Sequence, residues 1–217
     1  MNSNSASDSA VGNASFALDP RRARAIVTAI AQRLIAATDE LTQLDQAIGD
    51  GDHGLNMKRG FAAVLAEMDS LAATTTPALF TGVGRTLVMK VGGASGPLYG
   101  TLFMQLGKSW PPELSRAALH NCLHDAVAAV AARGKSQTGQ KTMLDVLVPV
   151  VTALGTGADR GQLRALAGMC AEATVPMEAV RGRASFLKER SIGHMDPGAR
   201  SSQLLIEAVC DDLEQNA

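Results

Sequence analysis

Apolar residues in this chain recur at three- and four-residue spacing almost throughout, and no stretch alternates convincingly with period two. That pattern builds helices with one buried face and gives a sheet little to form from. Ile26, Ile30, Leu34, Ala37 and Leu41 make one such face, on a helix expected to run to about Leu44. Asp19-Pro20 opens it with a capping carboxylate followed by proline at the first helical position. The spacing resumes with Met57, Phe61, Val64, Leu65, Met68 and Leu71. Pro77 opens a third segment, with Phe80, Val83, Leu87 and Val88 predicted inward. Further helices are predicted over 98–108, 113–133, 142–154, 159–180 and 201–215, about eight in all. Pro149 and Pro176 fall inside two of them, where a kink or an early end is expected. Aromatic residues are only 3% of the chain, and the alanine- and leucine-rich remainder favours helix. The expected fold is therefore all-α.

Residues 1–18, rich in Ser, Asn and Ala, read as a disordered tail without the basic and apolar regions of a signal peptide. Residues 19–217 read as one domain. Lys and Arg number 20 against 21 Asp and Glu, a formal net charge of −1. No global basic field is available to hold nucleic acid or an anionic membrane, so an anionic ligand needs a local site. Cys122, Cys170 and Cys210 are widely spaced and form no C-x-x-C pattern, which suggests buried thiols in a reducing compartment. No apolar run approaches the about 18 residues needed to span a bilayer. A cytoplasmic location is expected.

The loops between these helices are not generic. The segment from Asp45 to Leu55 reads DQAIGDGDHGL, with Asp45, Asp50 and Asp52 within eight residues. Asp50 and Asp52 can face the same way in an extended loop, and Gly49 and Gly51 permit the tight path that folds Asp45 back onto them. Three converging carboxylates repel one another unless a cation joins them, and all-oxygen ligands suit magnesium or calcium. The pattern is not an EF-hand and has no Cys or His cluster for zinc. Three carboxylates alone would repel a nucleotide diphosphate, whereas two divalent cations would reverse the sign and attract it. The alternative is a capping and turn cluster, since Asp and Gly both favour turns.

Gly92-Gly93-Ala94-Ser95-Gly96 precedes a helix, where backbone N–H groups can bind phosphate, or it is a plain loop. There is no G-x-x-x-x-G-K-[ST]. Arg183 is suited either to clamping a phosphate or to a surface ion pair. His53 is suited to a phosphate or to a cap, Met143 to covering a base or to the core, and Lys141-Thr142 to capping a helix. Asp196-Pro197-Gly198 is a turn. His120 and His124, four apart, lack an H-E-x-x-H frame and read as exposed.

Four stretches carry a family resemblance: LDQAIGDGDHGLNMKRGF (44–61), VGGASGPLYGT (91–101), RGKSQTGQKTMLDVLVP (133–149) and GRASFLKERSIGHMDPGA (182–199). In this order they resemble the nucleotide-binding L subunit of dihydroxyacetone kinases, and the resemblance extends from about Arg21 to the C-terminus. It implies an eight-helix antiparallel barrel with ADP or ATP across loops at one rim. It implies two Mg2+ ions held by Asp45, Asp50 and Asp52, with Arg183 stabilising the transferring phosphoryl. Nucleotide contacts are implied for His53, Gly54, Leu55 and Asn56 in the acidic loop, and for Ala94 and Ser95 at the glycine-rich turn. Gly134 and Met143 come from the third motif, and Arg183, Asp196, Pro197 and Gly198 from the fourth.

In that family a separate K subunit binds the ketose, so the chain alone is expected to be inactive. In one branch bound ADP is rephosphorylated by an M subunit of the phosphotransferase system, and in the other ATP exchanges. The stand-alone length favours the first branch. Phe186-Leu187-Lys188, where family members often have Tyr-Leu-Gly, leaves room for another ketose such as erythrulose. A nucleotide-sensing regulator that binds a transcription factor is the alternative from another class, and a homodimer is compatible with either.

Overall fold

A computed structural model describes residues 18–72 and 74–216, and every regular element among them is helical. The expected tail therefore lies outside the described residues apart from Leu18. That residue packs on the core, and its carbonyl accepts a hydrogen bond from Thr76 Oγ1 at 2.9 Å.

The first helix, α1 (Pro20–Ala36), starts as its sequence dictates, with Asp19 accepting from the Arg22 N–H. It does not run to Leu44. A turn at Ala37 separates it from α2 (Thr38–Ile48), and the Thr38 hydroxyl donates to the Ile35 carbonyl, competing with the helical ladder. The acidic segment also carries more helix than expected, because α2 continues through Asp45 to Ile48 and α3 (His53–Ala66) begins at His53. A short α4 (Met68–Ala72) follows a break at Glu67, whose carboxylate accepts from Thr86 Oγ1 at 2.6 Å.

Then come α5 (Thr76–Lys90), α6 (Ser95–Lys108), α7 (Arg116–Gly134) and α8 (Leu144–Gly155). Thr75 and Ser115 cap α5 and α7 through their hydroxyls. Pro149 lies within α8, which runs on past it to Gly155. The next helix, α9 (Arg160–Glu172), is opened by a capping box of Asp159 and Gln162 and stops short of the predicted Val180. A 3-10 segment (Arg183–Ser191) and α10 (Pro197–Gln215) complete the chain.

Helices α1, α3, α5, α6, α7, α8, α9 and α10 each pack against the next, and α10 returns to α1. This closed ring is the expected eight-helix barrel, with α2 and α4 as short additions. The start of α6, the end of α7 and the start of α8 meet at one cleft, so these neighbours run in alternating directions. Inside lie Leu34, Met57, Phe61, Leu79, Leu87 and Leu144, all 0–1% exposed, with Phe103 set edge-on to Phe61 at 6.4 Å. Between α5 and α6 a Cβ on Gly84 would stand 2.6 Å from the Gly100 carbonyl, so these glycines let the two backbones touch. Val88, predicted inward, is 42% exposed, whereas its neighbours Leu87 and Val91 are buried at 0% and 6%. Cys122 and Cys210 are buried, Cys170 is half-buried, and all three are free thiols. No helix among the described residues is long and apolar enough to cross a membrane.

Candidate functional site

The carboxylates of Asp45, Asp50 and Asp52 converge so that one oxygen from each lies within 4.8 Å of the others. The convergence follows from local chain geometry. Asp45 sits in the last turn of α2, and its Oδ2 accepts from the backbone N–H of Asp52 (2.8 Å) and of His53 (3.1 Å). It thus satisfies the first amides of α3 from outside that helix. Its Oδ1 faces Gly49, where a built Cβ would stand 2.1 Å away, so only glycine leaves that oxygen open. Gly51, with φ +72°, supplies the left-handed residue that brings Asp52 round.

These residues border a cleft of about 500 Å³ at one end of the ring. The starts of α6 and α10 face it, which brings the positive ends of two helices to its wall. Asp196 caps α10, accepting from the Ala199 N–H at 2.7 Å. Burial pushes the Asp196 carboxyl up to about 7; the Ala199 N–H opposes this and the charge of Asp145 adds to it. Arg133, Arg181 and Arg183 also border the cleft, and the Arg183 guanidinium lies 2.8 Å from Asp50 Oδ2. Leu98, Val130 and Met143 make a less polar wall.

His53 is 7% exposed and joins three helices. Its Nδ1 lies 2.9 Å from Ser95 Oγ on α6, and its Nε2 lies 3.0 Å from Ser201 Oγ on α10. Ser201 Oγ in turn meets the Tyr99 hydroxyl at 2.7 Å. Desolvation lowers the imidazole pKa against the raising effect of Asp45 and Asp52, which favours a neutral ring that donates to one serine and accepts from the other.

A family model described as the DAK2 domain matches residues 47–211. The chain belongs to the DAK2 family. It is 39% identical over 182 residues to the ADP-binding subunit DhaL of the PEP-dependent dihydroxyacetone kinase of Escherichia coli, covering 79% of this chain and 87% of that one. It is 43% identical over 170 residues to the corresponding subunit of kinase 1 of Listeria innocua, covering 78% of this chain and 84% of that one. These similarities group it with the L subunits of dihydroxyacetone kinases. Its fold matches the crystal structure of the C. freundii dihydroxyacetone kinase in complex with AMP-PNP and Mg2+, with a TM-score of 0.71 and 23% identity. That match covers 97% of this chain but 37% of the longer one.

In this DAK2 domain, most of the residues singled out from sequence border the one cleft: the three aspartates, His53, Ala94, Ser95, Gly134, Met143, Arg183, Asp196, Pro197 and Gly198. Three others do not line it. Gly54 packs against α2, where a Cβ would stand 2.0 Å from the Thr38 carbonyl. Leu55 is 53% exposed. Asn56 is buried with its side-chain amide against Gly92, one residue before the left-handed Gly93 of the glycine-rich turn. Tyr99, Ser201 and Arg181 carry no local signal in the sequence, because their places depend on contacts far along the chain, and Arg133 is marked only by its position on the cleft. Lys141 is suited by sequence to capping a helix, whereas the side chain is 1% exposed and its ammonium meets five backbone carbonyls. His124 is exposed and His120 half-buried, 6.2 Å apart between ring centres and outside the cleft.

Proposed function

We propose that this chain is the ADP-binding subunit of a phosphoenolpyruvate-dependent dihydroxyacetone kinase. It would pass a phosphoryl group from a phosphotransferase-system M subunit, through bound ADP, to dihydroxyacetone held on a separate K subunit. The observation that carries this reading is the meeting of three carboxylates, two helix N-termini and Arg183 at one cleft. The donor set fits magnesium: it is all oxygen, and Asp45 keeps Oδ1 open while two amides hold Oδ2. Asp45, Asp50 and Asp52 would hold two Mg2+ ions. When bound, these would neutralise the polyphosphate and orient its terminal group.

The chain's own residues then divide the remaining work. Arg183 and the amides at the starts of α6 and α10 would face the charge that builds on the transferring phosphoryl. Leu98, Val130 and Met143 would receive the base against the apolar wall. His53 would position Ser95 and Ser201, and with them both helix starts. Phosphoryl transfer requires placement and charge stabilisation more than covalent work by the protein, and a preformed cleft of this composition supplies both. On this reading the chain works in the cytoplasm, where phosphoenolpyruvate is made.

The test is reconstitution with K and M subunits, the general phosphotransferase proteins, phosphoenolpyruvate and magnesium, scoring dihydroxyacetone phosphate. About one ADP per chain should survive purification and be released on denaturation. An empty chain that binds ATP reversibly and works without the M subunit would overturn the donor assignment. Transfer to erythrulose but not dihydroxyacetone would overturn the substrate.

A further inference from the structure

Between α9 and α10 the chain runs from Ala173 to Asp196 with only a 3-10 segment for regular structure. This stretch carries Arg181, Gly182, Arg183 and Ala184 into the cleft. Segments of that length without helix or strand are costly to order, and they need a specific tie. One tie here is a side chain from another loop. Lys141 Nζ lies 2.8 Å from the Thr174 carbonyl, 3.0 Å from Met177, 2.9 Å from Ser191, 2.5 Å from His194 and 3.4 Å from Val175.

Those five oxygens come in two groups, one from 174–177 and one from 191–194. The ammonium therefore joins the two ends of the excursion at its neck and leaves the arginine-bearing residues between them as the tip. Two further bonds close the same neck: the Gly193 N–H donates to the Val175 carbonyl at 2.9 Å, and the Ala179 N–H donates to Ser191 Oγ at 2.8 Å.

Five acceptors exceed the three hydrogens an ammonium carries, and all five are backbone carbonyls. The arrangement resembles the coordination of a monovalent cation more than a set of separate hydrogen bonds. Thr174 and Val175 keep the Met177 and Gly193 N–H groups as further donors, but without a cation there the converging Met177, Ser191 and His194 carbonyls would lose the partner they share. Lys141 is itself held at a left-handed φ of +58°. Asp145 fixes the backbone around it, accepting from Thr142 N at 2.7 Å and from Gly139 N at 2.5 Å. The 135–143 loop and the 174–194 excursion are thus locked together through one charge.

We propose that Lys141 is a positioning residue for the cleft, its ammonium serving as a built-in monovalent cation that closes the neck of the 174–194 excursion and so holds Arg183 opposite Asp50. The inference rests on the nucleotide-binding reading only for its effect on ADP. The closure itself can be measured without nucleotide.

The test uses K141A, K141M and K141R in the full chain. Magnesium-dependent ADP binding is followed by calorimetry, amide exchange over 178–190 by mass spectrometry, and folding by thermal melting. K141A and K141M should melt cooperatively, exchange faster over 178–190, and bind ADP at least about tenfold more weakly. Propylammonium replaces the atoms that alanine removes, so it should restore protection and ADP binding to K141A. It should do nothing for K141M, whose side chain occupies the space that propylammonium would need. K141R, which keeps a cation, should fall between wild type and K141M.

The proposal is overturned if both variants keep wild-type exchange over 178–190, if both lose cooperative melting altogether, or if propylammonium leaves K141A unchanged. A wild-type chain that fails to bind ADP would sink the nucleotide reading instead. The exchange data would then still decide the role of Lys141.

Discussion

Arg183 Nη1 lies 2.8 Å from Asp50 Oδ2, joining two loops from distant parts of the chain across the mouth of the cleft. Both side chains are substantially exposed, at 65% and 34%, so solvent screens the pair and its contribution to stability is small. Its importance lies in placement. R183A should leave the unfolding free energy within about 0.5 kcal/mol of wild type. Magnesium-dependent ADP affinity or the phosphoryl-transfer rate should fall by about tenfold or more. D50N should abolish transfer while the chain melts normally; a D50N chain with near-normal transfer would remove Asp50 from the proposed metal site.

Gly49 is required by Asp45 Oδ1, which would stand 2.1 Å from any Cβ at that position. G49A should push the Asp45 carboxylate aside and loosen its hold on the first amides of α3. The expected cost is about 1–3 kcal/mol, from overpacking and lost capping. Magnesium-dependent stabilisation by ADP should fall further than that stability loss explains. Thermal shifts measured with and without ADP and magnesium separate the two effects, and an unchanged ligand-induced shift would count against the open-oxygen argument.

Gly54 makes a contrasting case. Its resemblance to a family nucleotide position coexists with a packing role, since a Cβ there would meet the Thr38 carbonyl at 2.0 Å and Thr42 Oγ1 at 2.4 Å. G54A should separate α2 from α3 and destabilise the chain by about 1–3 kcal/mol even without ligand. Denaturant unfolding in the absence of nucleotide checks this. A G54A chain of wild-type stability would mean that the helices yield more easily than their backbone contact indicates.

Asp196 should make stability depend on pH. Its carboxyl is pushed from 3.8 to about 7, first by burial, so the folded chain binds that proton more tightly than the unfolded chain does. The contribution to stability is complete below about pH 4 and is lost as pH rises through about 7. D196N keeps an acceptor for the Ala199 N–H but cannot titrate. Between those limits the variant should therefore gain on wild type by up to about 1.4 kcal/mol per pH unit. Parallel pH–stability curves for the two chains would show that Asp196 ionises without penalty.

The helices were legible in the sequence because their signals are local. Apolar residues at helical spacing marked the inward faces of α1, α3 and α5, and Asp19-Pro20 marked the start of α1. The acidic loop could be read for the same reason: Asp45, Asp50 and Asp52 are close enough in sequence that Gly49 and Gly51 suffice to bring them together. Misjudged ends had long-range or competing causes. The early stop of α9 accompanies carbonyls at Thr174, Val175 and Met177 that turn to Lys141, and the break at Ala37 accompanies the Thr38 hydroxyl bond to Ile35.

The sequence by itself determined the helical class, the loop chemistry and the carboxylate cluster, since each depends on residues within a few turns of one another. Only the tertiary structure decided that Arg183 faces Asp50, that His53 joins Ser95 to Ser201, and that Lys141 closes the neck of the excursion. Those contacts pair groups far apart along the chain. Closing the ring of helices brings them together, and no local spacing encodes which partner each will meet.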